Sequence, residues 1–152
     1  MKKFEALFAT LFLGGIFLEI FEWKTAIIPF CASIVLALFY QFLGVFYFNG
    51  IALRDIFNKS AYAQTSVLRL LGTFLLAGGS MGVLVFSAVY FLFRYIGGQE
   101  IFLIGAFSGL VTLIVSFVRY QKKKDLFYVR IGVRIVLLIV LNVVLLLVVP
   151  QR

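Results

Sequence analysis

The sequence predicts an all-α polytopic membrane protein with five transmembrane helices, in a single domain that covers residues 1–152. Composition is the first reason, because the chain is 64% hydrophobic and only 13% charged, which excludes an ordinary soluble domain. The second reason is length: about 20 helical residues cross the roughly 30 Å hydrocarbon core of a bilayer. Five apolar runs approach or exceed that length, at residues 4–21, 25–48, 70–95, 101–120 and 131–149.

The third reason is the distribution of Lys and Arg when the five runs are threaded alternately through a bilayer. Eleven of the 14 basic residues fall on one side, and only Lys24, Arg94 and Arg152 fall on the other. Short loops rich in Lys and Arg stay cytoplasmic, so we expect the amino terminus inside and the carboxyl terminus outside, in a bacterial inner membrane. The eleven are Lys2, Lys3, Arg54, Lys59, Arg69, Arg119, Lys122, Lys123, Lys124, Arg130 and Arg134.

The first run is the weakest of the five because Glu5 and Glu19 lie near its ends. A charge costs about 2.5–3.5 kcal/mol at the centre of an inserting helix and less near the interface. A four-span alternative without this run splits the basic residues nine to five, a poorer partition than eleven to three. The run is also long for a secretory signal and is followed by no small-residue cleavage site, so we expect a retained first span.

Runs one and two, and runs three and four, are each predicted to form a tight helical hairpin. Residues 22–24 join the first pair, with Trp23 at the interface, and residues 97–100 join the second. A shift of 74 residues superimposes several apolar positions of the two hairpins, so a duplicated hairpin is one alternative. Run five is nearly continuous Val, Leu and Ile, which predicts a peripheral fifth helix with Asn142 turned toward a neighbour.

The longest polar segment lies between the two hairpins, at residues 49–69. Leu53, Ile56 and Phe57 recur there at helical spacing, which predicts a short helix on the cytoplasmic surface. We expect Ser60 to cap the helix that continues into run three.

Small residues form the clearest packing signal within the runs. Gly78 and Gly82, and Gly105 and Gly109, have the four-residue spacing that lets two helices approach closely in lipid. These candidate helix-packing residues would either contact another subunit or pack the runs on each other within one chain.

Groups that carry out catalysis are scarce in this sequence. The chain has no His and a single Cys, and it has no glycine-rich phosphate loop, so we predict no catalytic residue, cofactor or metal ligand and expect no enzyme. Three carboxylates, Glu19, Glu22 and Glu100, would form an acidic cluster at the outer face. They would either attract cations to a transport path or be solvated interfacial residues.

A cluster of basic residues lies around the junction of runs four and five. Anionic headgroups on the cytoplasmic face are the predicted partner of this cluster, and the flanking position of the charges argues against nucleic acid. The candidate lipid-contacting residues are Arg119, Lys122, Lys123, Lys124, Arg130 and Arg134.

The first hairpin resembles that of a bacterial motor family, the two-span inner-membrane proteins that power gliding motility and type IX secretion in Bacteroidetes. The resemblance covers about 25 residues and includes Gly15 and Trp23. The family's His-Trp-Pro-Gly turn is replaced around Trp23, and Ala37 stands near the position of its buried glutamate. The resemblance therefore implies a distant relative with a hairpin of similar form, and the missing glutamate removes its support for a proton-driven motor.

Together these patterns favour a small membrane protein that acts as a structural or accessory subunit, as a homo-oligomer or in a larger membrane complex. One alternative is a small transporter or channel subunit with an acidic outer vestibule. Another is a membrane protein that binds anionic lipid.

Overall fold

The computed structural model describes residues 1–21, 27–63 and 65–149 of the chain. This part is helical, with five long helices, two short 3-10 helices and no strand. The turn predicted at residues 22–24, with Trp23, lies outside the described residues. The long helices are α1 (Lys2–Ile20), α2 (Ile27–Phe48), α3 (Val67–Leu92), α4 (Gly98–Lys123) and α5 (Leu126–Val148).

The all-α fold class and the number of long helices are confirmed. Helices α2 to α5 are each long and apolar enough to cross a membrane. Helix α1 has 19 residues but carries Lys2, Lys3, Glu5 and Glu19 within that length. The apolar runs therefore predicted five helices correctly, and four of these are candidate spans by length and composition.

Helix α3 is the centre of the bundle. In the most apolar stretch of 18 consecutive residues, 67% of the residues of α3 are buried, compared with 22% for both α4 and α5. Met81, Leu84 and Val85 are fully buried between α2, α4 and α5, and α1 packs mainly on α2. Helix α5 is as peripheral as α4, and its Asn142 is turned inward, as the sequence predicts.

Consecutive long helices run in alternate directions, as contacts between their ends show. At one end, Glu5 of α1 contacts Arg134 of α5, and Arg69 of α3 contacts Asp125 just before α5. At the opposite end, α1 meets the start of α2 where Gly15 faces Pro29. We call the end that contains Glu5, Arg69, Asp125 and Arg134 the basic end of the bundle.

Two π-helical turns interrupt α2 and α3 where these helices touch, at Phe39–Leu43 and Thr73–Gly78. A π-turn widens the helix locally and disturbs its regular hydrogen bonds. The Gln41 side chain joins the two turns by donating from Nε2 to the backbone oxygen of Phe74, at 3.4 Å.

The segment between α2 and α3 corrects two sequence predictions. Instead of one surface helix it forms two short 3-10 helices, Leu53–Asp55 and Lys59–Tyr62. The side chain of Asn58 accepts from the backbone N–H of Ser60, and this local capping competes with a continuous helix. The predicted cap at Ser60 was wrong, because Ser66 caps α3 by accepting from Arg69 N–H at 3.2 Å.

Candidate functional site

A cavity of about 550 Å³ opens at the basic end, between the start of α3, the end of α4 and the start of α5. Its walls are apolar and include Leu71, Leu75 and Phe127. Thr73, Thr112 and Ser116 contribute hydroxyl groups to the lining. Three cations also line it, Arg69, Arg119 and Lys123, and we call these three the cationic rim.

The local sequence of α3 explains why this space is open. Gly72 lines the cavity, and a Cβ atom at this position would meet no heavy atom of another part of the structure within 4 Å. The next residues, Thr73–Gly78, form the π-helical turn, and Thr73, Leu75, Leu76 and Ala77 from that turn face the cavity. One wall of the cavity therefore combines a position without a side chain, Gly72, with the locally widened turn that follows it.

Arg69 is the most constrained member of the cationic rim. Its Nη1 donates to Asp125 Oδ2 at 2.9 Å, and its guanidinium lies 3.9 Å from the centre of the Phe127 ring. Asp125 is itself fixed, because its Oδ1 accepts from the backbone N–H of Phe127 and caps α5. These contacts hold the Arg69 side chain against the cavity wall.

The Nε atom of Arg69 is a further hydrogen-bond donor. It is buried and has no hydrogen-bond partner within the described residues. A buried donor without a partner costs about 1–3 kcal/mol, and more for a charged group. Because Nε is inaccessible to solvent, a ligand would meet the rim at Arg119 and Lys123 and not at this atom.

Arg119 and Lys123 complete the rim from the exposed side. They lie four residues apart on the same face of α4, and both side chains are exposed. Of the three ion pairs found in the described part of the chain, only Arg69–Asp125 involves the rim. Arg119 and Lys123 therefore line the cavity without an ion pair to any carboxylate of the described residues.

The structure divides the basic cluster proposed from sequence into three parts. Arg119 and Lys123 belong to the cationic rim, whereas Lys122, Lys124 and Arg130 are exposed and do not line the cavity. Arg134 is engaged inside the bundle. Sequence reasoning missed Arg69 as a site residue, although its place at the inner end of run three was a usable signal.

Arg134 belongs to a polar cluster that joins three helices, α1, α2 and α5. Its Nε and Nη2 donate to the two carboxylate oxygens of Glu5, the latter at 2.8 Å, and Nη2 also donates to Tyr47 Oη at 3.1 Å. Tyr40 Oη donates to the same carboxylate at 3.1 Å. The sequence signal was two opposite charges inside apolar runs at the same predicted end.

The three carboxylates of the predicted acidic cluster are not gathered into one site by the described residues. Glu19 is half-buried on α1, where its Oε2 has no hydrogen-bond partner among the described residues, and Glu100 is exposed in the first turn of α4. Glu22 lies outside the described residues. Helices α1 and α4 are not packed extensively on each other.

The four candidate helix-packing glycines all face neighbours within this chain. A Cβ on Gly78 would lie 2.6 Å from the backbone oxygen of Tyr40, and one on Gly82 would lie 3.7 Å from that of Ala37. On α4, Gly105 faces Leu84 and Gly109 faces Ile135. These glycines therefore serve the α2–α3, α3–α4 and α4–α5 contacts.

The cavity combines hydrocarbon walls, a few hydroxyl groups and a cationic rim, which suits an amphiphile with an anionic head. Within the described residues, no three His, Cys, Asp or Glu side chains form a group that could hold a metal ion. Comparison of the chain with protein-family models, curated proteins and solved structures finds no match.

Proposed function

We propose that this chain is an integral protein of a bacterial inner membrane that binds an anionic amphiphile in the cavity at its basic end. The observation that carries the proposal is the cationic rim of Arg69, Arg119 and Lys123 on an otherwise apolar cavity. Basic pockets between helices on the cytoplasmic side of a membrane suit the head groups of anionic lipids.

The orientation is part of the proposal. Alternate threading puts eleven of 14 basic residues at the basic end, which favours that end as cytoplasmic. The contacts Glu5–Arg134 and Arg69–Asp125 support this threading, because they join residues that it assigns to one side. The cationic rim would then lie at the depth of the inner-leaflet head groups.

Electrostatics and apolar contact favour the same ligand. A basic residue near an anionic surface contributes about 1 kcal/mol. A phosphate at the rim would accept charge-assisted hydrogen bonds from Arg119 and Lys123, which form no ion pair among the described residues. The apolar walls, with Leu71, Leu75 and Phe127, would contact hydrocarbon.

The other two functions predicted from sequence have less support. A structural or accessory role, in a homo-oligomer or a larger complex, stays a prediction, because the four glycines that suggested it face neighbours within the chain. A transport role is weakened by the full burial of Met81, Leu84 and Val85 in the bundle centre. It is weakened further by the separation of Glu19 and Glu100 on different helices.

The test compares two double variants that each remove two charges from the same segment. Arg119→Gln with Lys123→Gln neutralises the exposed part of the rim, whereas Lys122→Gln with Lys124→Gln neutralises two exposed neighbours outside the cavity. Native mass spectrometry from mixed phosphatidylglycerol and phosphatidylcholine nanodiscs counts the lipids that remain bound.

We expect the rim variant to lose about 30-fold or more in affinity for phosphatidylglycerol, because each of the two lost charge-assisted hydrogen bonds to the phosphate contributes at least about 1 kcal/mol. The neighbour variant should change by less than about threefold, because its charges act only through the screened surface potential. Equal losses in both variants would mean a diffuse surface effect and no site. Equal retention of both lipids by the unmodified protein would also contradict the proposal.

A further inference from the structure

A second groove of about 380 Å³ lies on the other side of the contact between α4 and α5. It is lined almost entirely by apolar side chains, among them Leu113, Phe117, Val133 and Leu137. It has no charged residue in its lining. The part of a ligand that binds in this groove would therefore be hydrocarbon, and the charged group of that ligand would lie outside the groove.

The second groove adjoins the cavity that carries the cationic rim. Ser116 of α4 and Tyr128 of α5 line both spaces, so they form a shared wall between the two. Arg119 faces the first space and the adjacent Tyr120 faces the second. The end of α4 thus divides one apolar region into two chambers at the same end of the bundle.

A glycine opens each chamber. Gly72 lines the first, where an added Cβ would meet nothing within 4 Å. Gly132 lines the second, where an added Cβ would touch only Leu113 Cδ2, at an ordinary 3.5 Å. The two positions therefore accept a Cβ atom without a backbone clash.

We infer that the ligand is an anionic diacyl phospholipid, with one acyl chain in each chamber and its phosphate at the cationic rim. This inference rests on the proposed function and adds the number of chains that the site holds. Two apolar chambers that share Ser116 and Tyr128, with a cluster of cations at the first, match one charged head with two hydrocarbon tails. Once the first chain is bound, the second is held at high effective concentration, which raises the affinity for a two-chain ligand.

The experiment fills each chamber separately in the full chain. Gly72→Leu fills the first chamber, Gly132→Leu fills the second, and Gly14→Leu is the control on an exposed face of α1 with no neighbour within 4 Å. Each variant is titrated by native mass spectrometry with diacyl phosphatidylglycerol, its monoacyl form and diacyl phosphatidylcholine.

The unmodified protein and Gly14→Leu should prefer diacyl over monoacyl phosphatidylglycerol by about tenfold or more. Gly132→Leu should remove this preference and leave monoacyl binding unchanged, whereas Gly72→Leu should weaken the binding of both forms. A diacyl preference that survives Gly132→Leu would overturn the inference, as would equal binding of both forms by the unmodified protein.

The two proposals fail in different ways in this design. If the rim has no role, diacyl phosphatidylcholine will bind as well as diacyl phosphatidylglycerol, whatever the number of chains. If the site holds one chain only, the preference for phosphatidylglycerol over phosphatidylcholine will persist while the diacyl preference is absent. Each result is visible in the same titration.

Discussion

The carboxylate of Glu5 and the guanidinium of Arg134 join the first long helix to the last across 129 positions of the chain. Two parallel hydrogen bonds make this a bidentate pair, which fixes orientation as well as distance. The Glu5 side chain is 10% exposed and that of Arg134 is 23% exposed. A carboxylate that weakens α1 as an isolated span is thus compensated by a partner in the folded bundle.

We expect Glu5→Gln and Arg134→Gln to destabilise the protein by about 2 kcal/mol each. This is below the roughly 3–5 kcal/mol of a fully buried pair because Arg134 keeps some contact with solvent. Each single change leaves one charge without its partner, so the double variant should lose much less than the sum. Thermal unfolding in detergent measures this cycle, and additive losses would show that the pair is not coupled.

The exposed pair of Arg54 and Asp55 provides the control for this cycle. The Arg54 side chain is 89% exposed and lies 3.6 Å from Asp55. Surface pairs of this kind contribute little, so Arg54→Gln should leave the unfolding temperature nearly unchanged.

Gly78→Ala should destabilise the bundle much more than Gly82→Ala, although the two glycines lie one turn apart on α3. A methyl group on Gly78 would lie 2.6 Å from the Tyr40 backbone oxygen, and that atom cannot turn aside as a side chain can. On Gly82 the nearest atom, the Ala37 oxygen, is an ordinary 3.7 Å away. Overpacking of this kind costs about 1–3 kcal/mol. Thermal unfolding in detergent measures both variants, and equal unfolding temperatures would contradict the structure.

The sequence predicted the helices well because one physical quantity, the length of each apolar run, determines them. The predicted 101–120 became Gly98–Lys123, and 131–149 became Leu126–Val148, so the helices extend beyond the apolar core into the polar ends. The segment at 49–69 was predicted poorly. There the side chain of Asn58 bonds to the nearby backbone of Ser60, and such local bonds leave no trace in hydrophobic periodicity.

The candidate site was less predictable than the helices because it depends on contacts between them. Arg69 counted in the sequence as one of many orienting charges, and only the packing of α3 on α5 brings it to Asp125 and Phe127. The cavity also depends on the π-helical turn at Thr73–Gly78, which forms where α3 meets α2. A single sequence carries no periodic signal for either feature.

The hydrogen bonds of Asn142 make it the polar contact that should matter most in the centre of the bundle. Its Nδ2 donates to the backbone oxygens of Leu84 and Leu138, at 2.9 and 2.8 Å, and its Oδ1 accepts from Ser87 Oγ. Hydrogen bonds between membrane helices average about 0.6 kcal/mol and reach about 1.7. We expect Asn142→Ala to lose about 1–2 kcal/mol and Ser87→Ala about half of that, by thermal unfolding.

Ser108 is the matched control for Ser87, because its Oγ donates only to Gly105 of the same helix, at 3.1 Å. Ser108→Ala should therefore leave the unfolding temperature close to that of the unmodified protein. If Ser108→Ala were as destabilising as Ser87→Ala, the hydrogen bond from Ser87 of α3 to Asn142 of α5 would not contribute specifically to stability.

The length of α1 bears on whether this helix crosses the membrane. With 19 residues at 1.5 Å each, α1 is about 28 Å long, close to the roughly 30 Å hydrocarbon core. Since Arg134 offsets the charge of Glu5, we expect a reporter fused before Met1 and a label at Lys124, between α4 and α5, to be on the same, cytoplasmic side. A reporter after Arg152 should be on the opposite side. If the amino-terminal reporter were instead on the side of the carboxyl terminus, α1 would not span, and the four-span arrangement would be correct.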